Sequence, residues 1–224
     1  MSTGKGFLGW GPNNCTRCGQ PANPGPFCSA GGTCDNPPGD EKLLAFLYDH
    51  KHATPFEMAG VIVEVKAPIS AFRQWHRHRT QSYNEMSARY VPLPDENYVP
   101  SVERLLMNSK TNKQAGTIKG ADELDAAGAQ RYREALVMMY AQDEAFYQEA
   151  LKMGVPKELA REHLPVGRYS AMRASANLRN WLAFLTLRMD AHAQWEIREY
   201  ANAVGEIIAE SFPRTWALFA RSRT

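Results

Sequence analysis

Between residues 35 and 224 the chain contains no cysteine. Any catalytic thiol would have to come from Cys15, Cys18, Cys28 or Cys34, and a thiolate nucleophile is excluded from the rest of the chain. Long apolar runs are also missing. No stretch approaches the ~20 residues of a membrane-spanning helix. No apolar run follows Met1-Ser2-Thr3-Gly4-Lys5, so no signal peptide is expected, no membrane partner is expected, and the expected compartment is the cytoplasm. Charge of one sign is not in excess: the net charge is +2, and no basic stretch carries interleaved aromatics. Both facts argue against a nucleic-acid partner. Leu, Ile and Val are scarce over residues 1–40, where Gly, Pro, Asn and Cys dominate. Such a segment cannot build a hydrophobic core of its own. The expected organisation is therefore an atypical Cys/Gly/Pro-rich segment, 1–40, and a folded domain, 41–224.

What is present is ordinary in amount and unusual in type. At 44% hydrophobic and 22% charged, the 224 residues have the make-up of a soluble globular protein. The 26 basic residues divide into 17 Arg and 9 Lys. An arginine excess favours planar, bidentate recognition over loose surface charge.

Periodicity places the elements. Glu41 to about Lys51 reads as a helix. Met58–Ala67 reads as a strand, with Val61, Val63 and Val65 on one face and Ile62 and Glu64 on the other. Pro68 suits the start of a helix whose buried face is Ile69, Phe72 and Trp75 or His76. That helix would deliver Arg77, His78 and Arg79 at its C-terminal end, where the helix dipole stabilises cations. Tyr83 to about Ser109, with Pro92, Pro94 and Pro100, reads as irregular, and Thr111–Gly120 as a polar loop. Asp122–Met153 is a long amphipathic helix closed by Gly154, with Met138-Met139-Tyr140 read as core. A short helix, Lys157–His163, stops before Pro165. Arg168–Ala174 reads as a strand, and Asn177–Met189 and Gln194–Glu210 as helices. Helices dominate, with a few strands, so the fold class is α+β.

The most informative segment is Arg77-His78-Arg79-Thr80-Gln81-Ser82-Tyr83-Asn84-Glu85-Met86-Ser87-Ala88-Arg89-Tyr90. No hydrophobic period of 2 or 3.6 explains it as core. Arginine forks suit phosphate oxygens, while Asn, Glu and Ser suit the edges of a base or an isoalloxazine ring. The segment reads as a site for a phosphorylated, planar, hydrogen-bonding ligand.

Arg77-His78-Arg79, seven residues, then Ser87 resembles the signature of the flavin-dependent thymidylate synthases. Four further segments support the resemblance: His52-Ala53-Thr54-Pro55-Phe56-Glu57, Arg73-Gln74-Trp75, Asn177-Leu178-Arg179 with Leu187-Arg188, and Asp190-Ala191-His192-Ala193-Gln194-Trp195-Glu196-Ile197. It covers roughly residues 41–215. The resemblance implies a helix-rich α+β domain with a small, mostly antiparallel sheet, assembled as a homotetramer with sites at subunit interfaces. It implies reductive methylation of dUMP to dTMP, with methylenetetrahydrofolate as carbon donor and hydride relayed through FAD from NADPH.

The resemblance also assigns residues. Gln74, Glu85, Met86, Ser87, Arg89, Arg161 and Arg188 match positions contacting dUMP. His52, Thr54, Glu57, Arg77, His78, Arg79, Asn84, Glu85, Asn177 and Arg179 match positions near FAD. Arg188 would stabilise an enolate-like uracil in catalysis. Ser87 would orient the nucleotide, since a serine with no evident base partner is a weak nucleophile. Met58 and Ala183 replace a histidine and an asparagine common in the family, which predicts weaker flavin binding. Cys15-Thr16-Arg17-Cys18 has half of a zinc-knuckle spacing, so Cys15, Cys18, Cys28 and Cys34 either hold a structural Zn²⁺ or stay free thiols. Two alternatives stand beside the enzyme: a nucleic-acid-binding protein with an N-terminal zinc ribbon, and a catalytically impaired member of the family.

Overall fold

The computed structural model describes residues 41–107 and 115–223. The four cysteines, with the zinc expectation, lie outside the described residues, as do the rest of segment 1–40 and the first part of the Thr111–Gly120 loop. The described residues form two compact units. One is Gly60–Val204; the other holds the residues up to Ala59 and those from Gly205 onward.

The larger unit is organised by a three-stranded antiparallel sheet of β1 (Gly60–Pro68), β2 (Ser82–Glu85) and β3 (Tyr169–Asn177), in the order β1-β3-β2. β1 and β3 pair along their whole length, from Gly60 opposite Asn177 to Pro68 opposite Tyr169. Burial alternates as the apolar spacing requires: Val63 and Ala67 on β1, and Met172, Ala174 and Ala176 on β3, are buried, while Ile62, Glu64 and Arg173 are exposed. β2 pairs with the other edge of β3, Ser82 opposite Ser175 and Glu85 opposite Met172.

Two helices leave the sheet without a loop. Pro68 ends β1 in extended conformation and caps α3 (Ile69–Trp75). Asn177 ends β3 and caps α7 (Leu178–Arg188), its Oδ1 accepting from the Asn180 N–H at 2.9 Å. Trp75 stacks on Phe184 with ring centroids 4.7 Å apart and meets Trp181 edge-on at 6.2 Å. All three rings are fully buried, as are Phe72 and Leu185. This aromatic core holds the C-terminal half of α3 against α7, and it fixes where the residues after Trp75 emerge.

α4 (Val102–Leu106) begins at Ser101, whose hydroxyl accepts from the Arg104 N–H. α5 (Ala126–Lys152) is capped by Asp125, which accepts from the Gly128 N–H at 2.6 Å. Gly154, at φ +84°, follows as the left-handed stop that a side chain resists. Tyr147 and Ala150 of α5 pack against Ala160 and Leu164, at the end of α6 (Lys157–Ala160) and past the 3-10 turn Arg161–His163. α8 is Trp195–Ser211. In the other unit, α1 (Glu41–Asp49), α2 (Thr54–Glu57) and α9 (Pro213–Arg221) are tied by Arg221 to Asp49 at 2.7 Å and by Tyr48 packing edge-on to Phe56.

Two expectations are corrected. Tyr83–Ser109 is not wholly irregular: its first residues complete β2, and Val102–Leu106 is helical. Met138 and Met139 are not core, being 61% and 58% exposed. The inward stripe of α5 runs through Ala129, Arg133, Leu136, Tyr140, Tyr147 and Ala150, and at 3.6 residues per turn that turns 138 and 139 outward.

Candidate active site

The end of α3 and the end of α7 meet at Arg188. This half-buried arginine donates from Nε to Nε2 of His78 at 2.9 Å and from Nη2 to the backbone carbonyl of Gln74 at 3.0 Å. The carbonyl belongs to the last turn of α3, where the negative end of the helix dipole favours a cation. His78 lies edge-on to Phe184 at 4.8 Å. Burial, and then the Arg188 guanidinium beside it, lower its pKa from 6.5 to about 4. The ring is therefore neutral near pH 7, accepting at Nε2 and carrying its proton on Nδ1. Burial also lowers the Arg188 pKa. Among the described residues two of the five guanidinium N–H groups are used, so the remaining donors can meet a planar ligand edge.

Beside this pair the Gln74 amide donates to Oε1 of Gln194. Gln194 donates to Glu196 at 2.6 Å, and Glu196 also accepts from Tyr98 at 2.8 Å and from Arg104 at 2.8 and 3.2 Å. Burial works to raise the Glu196 pKa. The hydrogen bonds from Arg104, Gln194, its own backbone N–H and Tyr98 outweigh it, so the pKa is lowered and the carboxylate stays ionised. Tyr98, Arg104 and Glu196 were not singled out as site residues. The only signal for them was that Glu196 lies in the Asp190–Ile197 segment.

Past α3, Arg77 and Arg79 are exposed, and neither has an ion pair among the described residues. Asn180 Nδ2 donates to the Thr80 carbonyl at 3.3 Å, joining this turn to the start of α7, where Arg179 is exposed. Asn84 is exposed on β2, opposite Arg173. The two lie in a cleft of about 200 Å³ with Glu64, Ala171 and Met172. Glu85 is half-buried with His76 Nε2 at 4.0 Å, and the Met86 N–H extends the ladder to the Ala171 carbonyl at 2.8 Å.

Ser87 Oγ accepts from the Arg89 N–H, and no general base bonds it among the described residues. Arg89 pairs with Glu158 at 2.9 Å, and Arg161 Nε approaches the Glu158 carbonyl at 3.4 Å. Arg89, Tyr90, Pro156, Lys157 and Glu158 line a pocket of about 340 Å³. Within the larger unit two groups thus form: the predicted dUMP residues Gln74 and Arg188 with the predicted flavin residue His78, and the predicted dUMP residues Arg89 and Arg161 around Glu158. In the other unit, His52 precedes α2, its ring 6.0 Å from that of Phe46, while Thr54 and Glu57 are the end residues of α2. Met58 is 80% exposed, and Ala183 is exposed on α7.

Arginine forks, amides and a neutral imidazole on an α+β frame, with no thiol from residue 35 onward, define a protein equipped to recognise an anionic, planar ligand. Residues 27–214 match the family model for thymidylate synthase complementing protein. The chain is 42% identical over 183 residues to a flavin-dependent thymidylate synthase of Thermus thermophilus, covering 80% of this chain and 63% of that protein. It is 39% identical over 196 residues to that of Thermosipho africanus, covering 86% and 82%. A crystal structure of the UMP/dUMP methylase PolB from Streptomyces cacaoi, bound with 5-Br UMP, superposes with a TM-score of 0.71 at 32% identity, covering 80% of this chain and 82% of that one. The chain belongs to the flavin-dependent thymidylate synthase family. Its match spans just under two thirds of the length of the Thermus relatives. Among the described residues, no helix is long and apolar enough to cross a membrane.

Proposed function

We propose that this protein converts dUMP to dTMP by reductive methylation, with methylenetetrahydrofolate as the carbon donor and hydride passed through FAD from NADPH. The observation that carries this reading is the Arg188 guanidinium, fixed by neutral His78 and the Gln74 carbonyl with N–H donors to spare. Uracil is uncharged and must gain electron density at C5 before it attacks a one-carbon unit. A fixed guanidinium at the pyrimidine carbonyl edge stabilises the enolate-like charge that develops. A neutral His78 suits this task, because a second cation there would repel Arg188 and forfeit the acceptor that orients it.

Gln74, Glu85, Met86, Ser87, Arg89 and Arg161 are the further dUMP contacts in this reading. Arg89 and Arg161 take the phosphate, and the Ser87 hydroxyl orients the nucleotide without acting as a nucleophile. The residues present fit FAD. Arg77 and Arg79 are exposed forks suited to pyrophosphate oxygens. His78 keeps Nδ1–H as a donor while Nε2 serves Arg188. Asn177 has Nδ2 left after its Oδ1 caps α7. Asn84, Glu85, Arg179, His52, Thr54 and Glu57 complete the set. Bound flavin would supply the hydride that a thiolate-free site needs for reduction.

The homotetramer expected of the family finds support in α5, where Val137, Met138, Met139 and Phe146 are 52–63% exposed, and in Met153 just past its end, which is 74% exposed. So much apolar surface on one helix suits contact with further copies. The test is a visible absorption spectrum of the purified chain with FAD and then dUMP, followed by dTMP formation with the two co-substrates. A flavin band perturbed by dUMP, with dTMP produced, is the expected result. A chain that takes up no FAD and makes no dTMP overturns the reading.

A further inference from the structure

We propose that Glu196 is a positioning residue: acting through Gln194, its carboxylate fixes the amide of Gln74 so that Oε1 is offered to the nucleotide as a hydrogen-bond acceptor. The inference rests on the reading of Gln74 as a dUMP contact.

The argument is one of polarity along a chain of bonds. A carboxylate only accepts. Glu196 is 8% exposed and receives four donors: Tyr98 and Arg104 Nε on Oε1, and Arg104 Nη2 and Gln194 Nε2 on Oε2. Gln194 must therefore turn its NH₂ toward Glu196, which leaves only its Oε1 for the other neighbour. Gln74 in turn must meet that oxygen with its own NH₂. What remains at the far end is Gln74 Oε1, to which no donor is bonded among the described residues. An isolated glutamine flips between donor and acceptor at little cost. Here the sense is set at a third residue and passed along two amides. Arg188 bonds the backbone carbonyl of the same residue, so Gln74 serves the arginine with its main chain and the relay with its side chain. A fixed acceptor on Gln74 selects a ligand that brings a donor to it. A nucleotide can supply the donor in two places, N3–H of uracil or the sugar 3′-hydroxyl.

Glu196 also ties Tyr98 and Arg104, so its removal would disturb more than the relay. Gln194 is the cleaner target: it is exposed, and its loss leaves the bonds from Tyr98 and Arg104 to Glu196 in place. The experiment measures calorimetric binding of dUMP, N3-methyl-dUMP and the 3′-deoxy analogue to the full chain supplied with FAD. The wild type is expected to bind dUMP about tenfold more tightly than whichever analogue lacks the bonded donor. Gln194→Leu should lose about tenfold in dUMP affinity and cease to distinguish that analogue, with a melting temperature within about 2 °C of wild type. Gln194→His should restore the preference, since an imidazole can donate to Glu196 from one nitrogen and accept from Gln74 at the other. The relay is overturned if Gln194→Leu keeps the wild-type preference, if Gln194→His behaves like the leucine variant, or if the wild type binds dUMP and discriminates neither analogue. A wild type that binds no dUMP overturns the nucleotide reading itself, and this inference with it.

Discussion

Arg188 and His78 form a couple in which each residue needs the other in one protonation state. The guanidinium donates to Nε2 at 2.9 Å, which requires a lone pair there. Removing the arginine deletes the proposed stabiliser of the uracil anion while leaving the aromatic core of α3 and α7 intact. Arg188→Ala should therefore lower dTMP formation by about 10²–10³-fold, the scale of losing one fixed donor to a developing oxyanion. Its thermal midpoint should barely move, and near-normal turnover would remove Arg188 from the mechanism. The histidine carries a pH consequence. Its pKa is about 4 in the folded chain against 6.5 unfolded. Between those values the unfolded state binds a proton that the folded state does not, so stability rises with pH. The contribution is complete above pH 6.5 and is lost as pH falls toward 4. Urea midpoints followed from pH 7 to 4 should fall more steeply in the wild type than in His78→Gln. Parallel slopes would show that His78 does not titrate as its burial dictates.

At the scale of elements, the informative contact is Arg168, fully buried just before β3. It bonds Glu144 of α5 at 2.6 Å, the Leu93 carbonyl at 3.2 Å and the exposed Asp95 at 3.3 Å. One guanidinium thus pins α5 and residues 93–95 to the start of the central strand. Taking away one partner of a buried pair strands the other, so Glu144→Ala should cost about 3 kcal/mol in urea unfolding. Arg168→Met should cost less, because Glu144 is 15% exposed and can turn to water. If the methionine variant is the weaker one, the pair is not governed by desolvation. β1, α3, α5 and α7 were legible in the sequence because each carries an apolar period over seven or more residues, punctuated by Pro68, Asn177 or Gly154. β2 was not legible. Ser82-Tyr83-Asn84-Glu85 is a short edge strand with no apolar face, and its partner lies about ninety residues further on. The same limit hid the relay: no local pattern pairs positions 98 and 104 with 196. Arg188 stands out in the sequence only through the family resemblance. Its spacing alone allowed an ion pair with Asp190 or Glu196, and in the structure Glu196 is occupied by Arg104, Tyr98 and Gln194.

At the scale of the whole molecule, the question is what covers the outer face of α5. Met138 and Met139, read as core from the sequence, are exposed on the protomer. Tyr140 is half-buried, its hydroxyl donating to the Tyr98 carbonyl at 3.1 Å, whereas both methionines point outward. Methionine is a good interface residue because its flexible thioether adapts to an opposing surface. A second copy would cover this helix in the proposed homotetramer, and the proposed sites would be completed between copies. Lysine is a good helix former, so the double substitution Met138→Lys, Met139→Lys should leave the protomer folded. Placed in an interface, the two cations would be desolvated or set against their copies, and assembly would fail. Light scattering should then give a mass below that of the tetramer, with unchanged helical circular dichroism, and dTMP formation should fall together with the mass. A variant that stays tetrameric would move the interface elsewhere. One that dissociates yet keeps full activity would show that a single protomer holds a complete site.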